Sequence, residues 1–206
     1  MNRIRVLIAD DHTIVRIGLV SLLGTERDLE IVGQARDGEE AVRETRKNRP
    51  DVVVMDLVMP KKDGVEATRE IIAQNPSVKI LILTTYGTAD GIAHALQSGA
   101  IGAIVKTTDD DMLISAIRTV ARGEKFISPE ITRMLDENPP VPDLSPRQRE
   151  ILEAITIGHT NKEIASELGI RKDSVEDYIK TLFGKIGAAN RAEAVAIALR
   201  KHLLKI

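Results

Sequence analysis

The chain has 206 residues, more than one typical domain needs, and 43% of them are hydrophobic, enough for ordinary buried cores. Without cysteine it forms no disulfide, thiolate metal site or thiol nucleophile, and its four aromatic residues (Tyr86, Phe126, Tyr178, Phe183) are too few for the stacking platforms that grip single-stranded nucleic acid. The net charge of -2 divides unevenly: residues 1–143 carry 18 Lys and Arg against 23 Asp and Glu, residues 144–206 carry 11 against 8, so the two parts are expected to meet different partners.

No run approaches the roughly 18 consecutive apolar residues of a membrane span, and the opening MNRIRVLIADD lacks a signal peptide's apolar stretch. A soluble, cytoplasmic protein without membrane contact is the expectation. In chain order, strands are predicted at 4–10 (IRVLIAD), 29–35 (LEIVGQA), 51–56 (DVVVMD), 78–84 (VKILILT) and 102–106 (GAIVK). Apolar residues at i, i+3 and i+4 predict helices at 13–24, 38–48, 65–75, 88–98 and 109–122. Five repeats of strand then helix predict a five-stranded, doubly wound parallel α/β sheet, and continuous Val/Ile/Leu runs fit strands buried on both faces. The proline-rich DENPPVPD at 136–143 cannot continue a helix. The expected division is a domain at 1–122, a linker with a short helix at 123–143, and a small all-α domain at 144–206.

In open parallel sheets, function gathers at the carboxyl ends of the strands. There the first strand ends in Asp10 and Asp11, the third in Asp56, the fourth in Thr84 and the fifth in Lys106. Carboxylates about 5 Å apart repel by roughly 3 kcal/mol at an effective dielectric near 20, a conflict a divalent cation removes. Oxygen ligands suit Mg²⁺. With the charge neutralised, Asp56 is a candidate oxygen nucleophile toward phosphorus, with Lys106 pairing to the phosphoryl group and Thr84 donating a hydrogen bond.

These residues, within IADDH, VVVMDLVMP, KKDGVEA, LILTTY and SGAIGAIVK, make residues 1–122 resemble the flavodoxin-like receiver domain of two-component response regulators. The resemblance implies that Asp56 accepts a phosphoryl group from a sensor histidine kinase. It implies that Asp11 ligates Mg²⁺ directly, Asp10 partly through water, and that the Val58 carbonyl completes the protein ligands. Thr84 and Lys106 then read the acyl phosphate. Val58 and Tyr86 occupy positions that influence phosphate lifetime, and their bulk predicts slow autodephosphorylation. The resembled family carries an aromatic switch residue three positions before the lysine and often proline after it; here those positions hold Ala103 and Thr107.

The second domain opens with LSPRQREILEAI, where Ser145 and Pro146 form a helix entry and Gly158 an exit. TNKEIASELGI predicts a short helix capped at Thr160 or Asn161, and RKDSVEDYIKTLFGKIG a longer one whose Val175, Ile179, Leu182, Phe183 and Ile186 share a stripe. A short helix, a turn and a half-exposed helix form the helix-turn-helix pattern, whose second helix enters the major groove. With NRAEAVAIAL, residues 144–206 resemble the LuxR-type domain of the NarL/FixJ class of response regulators. The resemblance implies contact with double-stranded promoter DNA from Thr160, Asn161, Lys162, Lys172, Ser174, Glu176, Asp177, Tyr178 and Lys180, with Arg171 and Lys185 as further backbone contacts. It also implies a homodimer, when phosphorylated, through Ala192, Val195, Ala196 and Leu199, and admits RNA polymerase as a partner.

Glu176 stands where such domains usually carry lysine, and Tyr178 where histidine is common. Carboxylates oppose phosphate binding but can accept from cytosine N4, so an altered sequence preference is expected. The alternative is a domain that binds DNA weakly and acts through protein partners. A phosphatase of the haloacid dehalogenase type is disfavoured, because it places two aspartates two residues apart after the first strand. An enzyme is therefore not expected, and no Gly-rich nucleotide loop occurs.

Overall fold

A computed structural model describes residues 3–85, 89–137, 144–201 and 203–204, which fall into two compact units, Met1–Pro139 and Pro140–Ile206. In the first, strands β1 (Ile4–Ala9), β2 (Leu29–Ala35), β3 (Val52–Met55), β4 (Lys79–Thr84), β5 (Gly102–Val105) and β6 (Phe126–Ile127) form one sheet in the order β2-β1-β3-β4-β5-β6. Every pairing is parallel. Helices α1 (Thr13–Leu23), α2 (Gly38–Asn48), α3 (Gly64–Gln74), α4 (Ala89–Gln97), α5 (Asp110–Ala121) and α6 (Pro129–Glu137) complete the unit.

The inner strands β1, β3, β4 and β5 lack polar alternation because both of their faces are covered. Leu7, Ala9, Val53, Met55, Ile80, Ile82 and Ala103 join a core closed by Ala41, Ala67, Ile71, Ile92 and Ile131 from α2, α3, α4 and α6. Their neighbours Val6, Ile8, Val52, Val54, Leu81, Leu83 and Ile104 turn to the other side, against Leu19 and Leu23 of α1 and Leu113, Ile114 and Ile117 of α5. A period-2 backbone between two apolar layers therefore demands an unbroken apolar run.

The sheet has six strands, not five. Phe126 and Ile127 pair with Gly102 and Ala103, and Ile131 of α6 is fully buried in the same core as Ala103. Residues 124–137 thus extend the first unit with a strand and a packed helix, where a linker with a short helix is expected from the sequence. Two paired residues are too short to show as an apolar run. Residues 138–143, most of the proline-rich stretch, lie outside the described residues.

The second unit comprises α7 (Pro146–Ile157), α8 (Asn161–Glu167), α9 (Lys172–Ile186) and α10 (Arg191–Arg200). Ser145 with Gln148 and Thr160 with Glu163 form reciprocal capping boxes. Gly158 and Gly187 close α7 and α9 in the left-handed conformation at φ 102° and 73°. Ile151, Leu152 and Ile155, Ile164, Val175, Leu182 and Ile186, and Ala194, Ile197 and Ala198 bring all four helices to one core. Among the described residues, no helix is long and apolar enough to cross a membrane.

Candidate functional site

Strand register assembles the site. β1 and β3 pair with Ala9 opposite Met55, and the Asp56 amide donates to the Ala9 carbonyl at 2.8 Å, so Asp10 and Asp56 leave adjacent strands side by side. β4 and β5 pair with Thr84 opposite Val105, and the Lys106 amide donates to the Thr84 carbonyl at 2.9 Å. Lys106 then reaches back across the sheet end. Its ammonium lies 2.6 Å from Asp10 Oδ2 and 2.7 Å from Asp56 Oδ2.

Asp10 and Asp56 are 2% and 4% exposed, low for charged side chains, and each spends its other oxygen on a backbone amide: His12 N to Asp10 Oδ1 and Leu57 N to Asp56 Oδ1, both at 2.8 Å. Burial pushes the Asp56 carboxyl above the usual carboxylate range, outweighing the hydrogen bond from Lys106 that pulls it down; the Asp10 charge adds to the rise. For Lys106 the balance reverses. Burial opposes its charge, but hydrogen bonds to Asp10 and Asp56 prevail and raise its pKa.

Asp11, half open to solvent, places Oδ1 2.8 Å from His12 Nδ1. Ligand atoms of Asp10, Asp11, His12 and Asp56 all lie within 4.8 Å of one another. Three carboxylates face one ammonium, and the set is rich in hard oxygen donors. The buried Thr84 Oγ1 has no hydrogen-bond partner. The donor chemistry of the carboxylates fits a small divalent cation, and the orphaned Thr84 hydroxyl fits an oxyanion beside it. His12 holds the N-cap of α1 without a side-chain bond, and Asp10 accepts from its amide.

Several supporting contacts escape inspection of the sequence. Asp37, nearly buried, caps α2 through Glu40 N at 2.8 Å and also accepts from Lys61 Nζ at 2.6 Å, tying the β3–α3 loop to the β2–α2 turn. Gly38 donates to the Lys62 carbonyl in the same bracket, and a Cβ there would meet that oxygen at 2.3 Å. A Cβ at Gly64 would meet the Asp56 carbonyl oxygen at 2.1 Å, so α3 can begin this close to the acceptor strand through glycine. Arg16 donates to the Asp10 carbonyl at 2.6 Å.

Val58 is 65% exposed on this loop, and on α1 Ile14 and Ile17 are 86% and 62% exposed. Beside Lys106, a cavity of about 290 Å³ runs between α1 and α5, lined by Val15, Leu19, Leu22 and Leu113. A larger one, about 790 Å³, lies at the opposite ends of the strands among Arg46, Arg49, Pro50, Asp51 and Ser77. It is remote from the carboxylates, and its arginines sit at the C-terminal end of α2, where they complement the helix dipole. Ala103 is fully buried. Tyr86 lies outside the described residues.

In the second unit Lys162, Lys172, Glu176, Asp177 and Lys180 are exposed on α8 and α9, and Tyr178 is 39% exposed. Asn161 and Ser174 are half-buried, and Thr160 accepts from the Glu163 amide as the cap of α8. Arg171 is the N-cap of α9, and Lys185 reaches Gln148 at 3.2 Å. On α10 Ala192, Ala196 and Leu199 are exposed and Val195 is half-buried, while Ala194, Ile197 and Ala198 face the domain core.

Residues 6–118 match the family described as response regulator receiver domain, and residues 142–198 the family described as bacterial regulatory proteins, luxR family. The chain is 39% identical to the oxygen regulatory protein NreC of Staphylococcus carnosus, over 97% of its own length and 99% of that protein's. It is 38% identical to the uncharacterized transcriptional regulatory protein YvfU of Bacillus subtilis, over 96% and 98%. Among solved structures it resembles the response regulator ChrA of a heme-sensing two-component system, at TM-score 0.59 and 33% identity, covering 99% of this chain and 100% of that one. RcsB of Salmonella enterica serovar Typhimurium, bound to promoter rprA in the presence of the phosphomimetic BeF3-, aligns at TM-score 0.67 and 26% identity, covering 95% and 98%.

Proposed function

Because the chain belongs to the two-component response regulators, with a receiver domain followed by a LuxR-type regulatory domain, we propose that it is a phosphorylation-controlled transcription factor whose acceptor is Asp56. The observation that carries this reading is the bridge from Lys106 to Asp10 and Asp56 at the carboxyl end of the sheet. A buried carboxylate, a second acidic side chain and an ammonium that meet there suit the receipt of one phosphoryl group.

In the proposed transfer an Asp56 carboxylate oxygen attacks the phosphorus of a phosphohistidine on a sensor kinase. A P–O bond forms, the P–N bond breaks, and the imidazole leaves with the electron pair and takes up a proton. Asp10, Asp11, Asp56 and the Val58 carbonyl are the residues that would hold Mg²⁺, which supplies neutralisation of the carboxylates and of the transferred group. Lys106 exchanges a carboxylate for a phosphoryl oxygen, and Thr84, whose buried hydroxyl has no partner, donates to another. The exposed Ile14 and Ile17 and the apolar groove beside Lys106 suit a helical kinase surface brought up to the site. Val58, with Tyr86, is assigned to limiting water's access to the acyl phosphate.

The phosphorylated receiver favours a state in which two chains pair through Ala192, Val195, Ala196 and Leu199 and two recognition helices engage promoter half-sites one helical turn apart. Thr160, Asn161, Lys162, Lys172, Ser174, Tyr178 and Lys180 are assigned to the DNA side. Reversing a 1:99 population requires about 5.5 kcal/mol of preference for the active state. An electrophoretic shift on a promoter library, with and without acetyl phosphate and Mg²⁺, tests the reading. Retention that rises with the donor supports it; a phosphorylated protein that retains no DNA favours action through protein partners instead.

A further inference from the structure

We propose that Glu176 and Asp177 make α9 selective for a base pair that offers an exocyclic amino group in the major groove, with cytosine N4 as the group read. The inference rests on the assignment of α9 as the helix that enters DNA.

Val175, Leu182 and Ile186 bury one side of α9, and Lys172, Asp173, Glu176, Asp177, Lys180 and Thr181 are exposed on the remainder. Asp173, Glu176 and Asp177 offset three of the four cations that Arg171, Lys172, Lys180 and the half-buried Lys185 provide, so the helix has little net attraction for phosphates, and general affinity for DNA grows with the number of cations that displace counterions. Binding through this helix therefore has to draw on base edges.

A carboxylate only accepts hydrogen bonds. In the major groove guanine N7 and O6 and thymine O4 are acceptors too and repel it, whereas cytosine N4 and adenine N6 donate. Adenine N6 lies between two acceptors, its own N7 and O4 of the paired thymine, whereas cytosine N4 has an acceptor on one side only, O6 of the paired guanine, and C5–H on the other. The favoured partner is therefore cytosine.

Lys172 Nζ lies 3.3 Å from Glu176 Oε1, one helical turn away, with both side chains more than half exposed. This pair screens the carboxylate from phosphates during approach, and being weak and solvated it separates readily. Lys172 can then turn to the backbone while Glu176 turns to the base.

Sequence selection from a randomised duplex pool, using the full-length chain treated with acetyl phosphate and Mg²⁺, tests the proposal on wild type, Glu176→Gln, Glu176→Lys and Asp177→Asn. Wild type is expected to enrich a cytosine at a fixed position of each half-site. Glu176→Gln, able to donate and accept, moves that position toward adenine and loses about tenfold in affinity for the wild-type site. Glu176→Lys moves it toward guanine and steepens the salt dependence by about one unit of log–log slope. An unchanged motif in both Glu176 variants and in Asp177→Asn overturns the inference while leaving DNA binding intact, and an adenine in the wild-type motif overturns cytosine as the group read. A wild-type protein that enriches no sequence overturns the DNA assignment itself.

Discussion

The Lys106 ammonium lies 2.7 Å from the Asp56 carboxylate and holds it beside Asp10, whose Oδ2 is 2.6 Å from the same nitrogen. Removing one partner of a buried ion pair leaves an uncompensated charge, at a cost of about 3 kcal/mol. Lys106→Met is therefore expected to destabilise the divalent-free protein by about that amount. Part of the loss returns with millimolar Mg²⁺, because a cation held by the carboxylates relieves the same repulsion. Urea unfolding of wild type and variant, with EDTA and with Mg²⁺, measures both effects.

Asp56 gives a pH signature. Its folded pKa is raised by burial, so the folded state binds this proton more tightly than the unfolded chain, whose value is about 3.9. The contribution to stability is fully present below that value and is lost as the pH rises through the raised folded pKa. Asp56→Asn removes the titration. In EDTA, the stability of wild type relative to Asp56→Asn is expected to fall with increasing pH across this window and to stay low at neutral pH. Thermal melts of both proteins from pH 4 to pH 8 check it.

The bracket from Asp37 to Lys61 separates two roles. Asp37→Ala removes the α2 cap, worth about 1 kcal/mol, together with the Lys61 pair. Lys61→Ala removes the pair alone, from a lysine that is 54% exposed, and costs well under about 1 kcal/mol. Chemical denaturation ranks the two variants. Because Lys61 anchors the loop that carries Val58, Lys61→Ala is also expected to slow phosphoryl uptake from acetyl phosphate more than its small stability loss accounts for.

On α10 the core side and the outer side are distinct. Leu199 is 51% exposed, whereas Ala194 and Ile197 are buried. Leu199→Asp is therefore expected to leave the helix folded, changing stability by no more than about 0.5 kcal/mol, while suppressing dimer formation in the presence of phosphodonor. Sedimentation velocity with and without acetyl phosphate reads the dimer, and circular dichroism the fold.

The four inner strands β1, β3, β4 and β5 and the helices between them are legible in the sequence because burial on both faces leaves apolar runs, each followed by 3.6-residue periodicity, while the edge strand β2 shows exposed Glu30 and Gln34 within a shorter apolar stretch. Asp56 stands out for the same reason, as a carboxylate ending such a run. Other features follow from tertiary contact. β6 has two residues and exists because Phe126 and Ile127 find the free edge of β5. The Lys61–Asp37 pair spans 24 residues and depends on Lys61 adopting φ 64°, a left-handed conformation that lysine does not announce. Asp10 and Asp11 are expected from the sequence at the strand end as ligands; the structure gives the N-cap of α1 to His12 and leaves Asp10 facing Asp56 across Lys106. The burial of Ala103 beside Ile131 likewise depends on α6, whose docking no local pattern reveals.

The central claim is tested most directly by intact-mass spectrometry of wild type and Asp56→Asn after incubation with acetyl phosphate and Mg²⁺, followed by peptide mapping. Wild type is expected to gain one phosphoryl group, located on the peptide containing Asp56 and dependent on the divalent cation, while Asp56→Asn gains none. Equal labelling of the two proteins, or a wild-type phosphoryl group at another residue, would contradict the account.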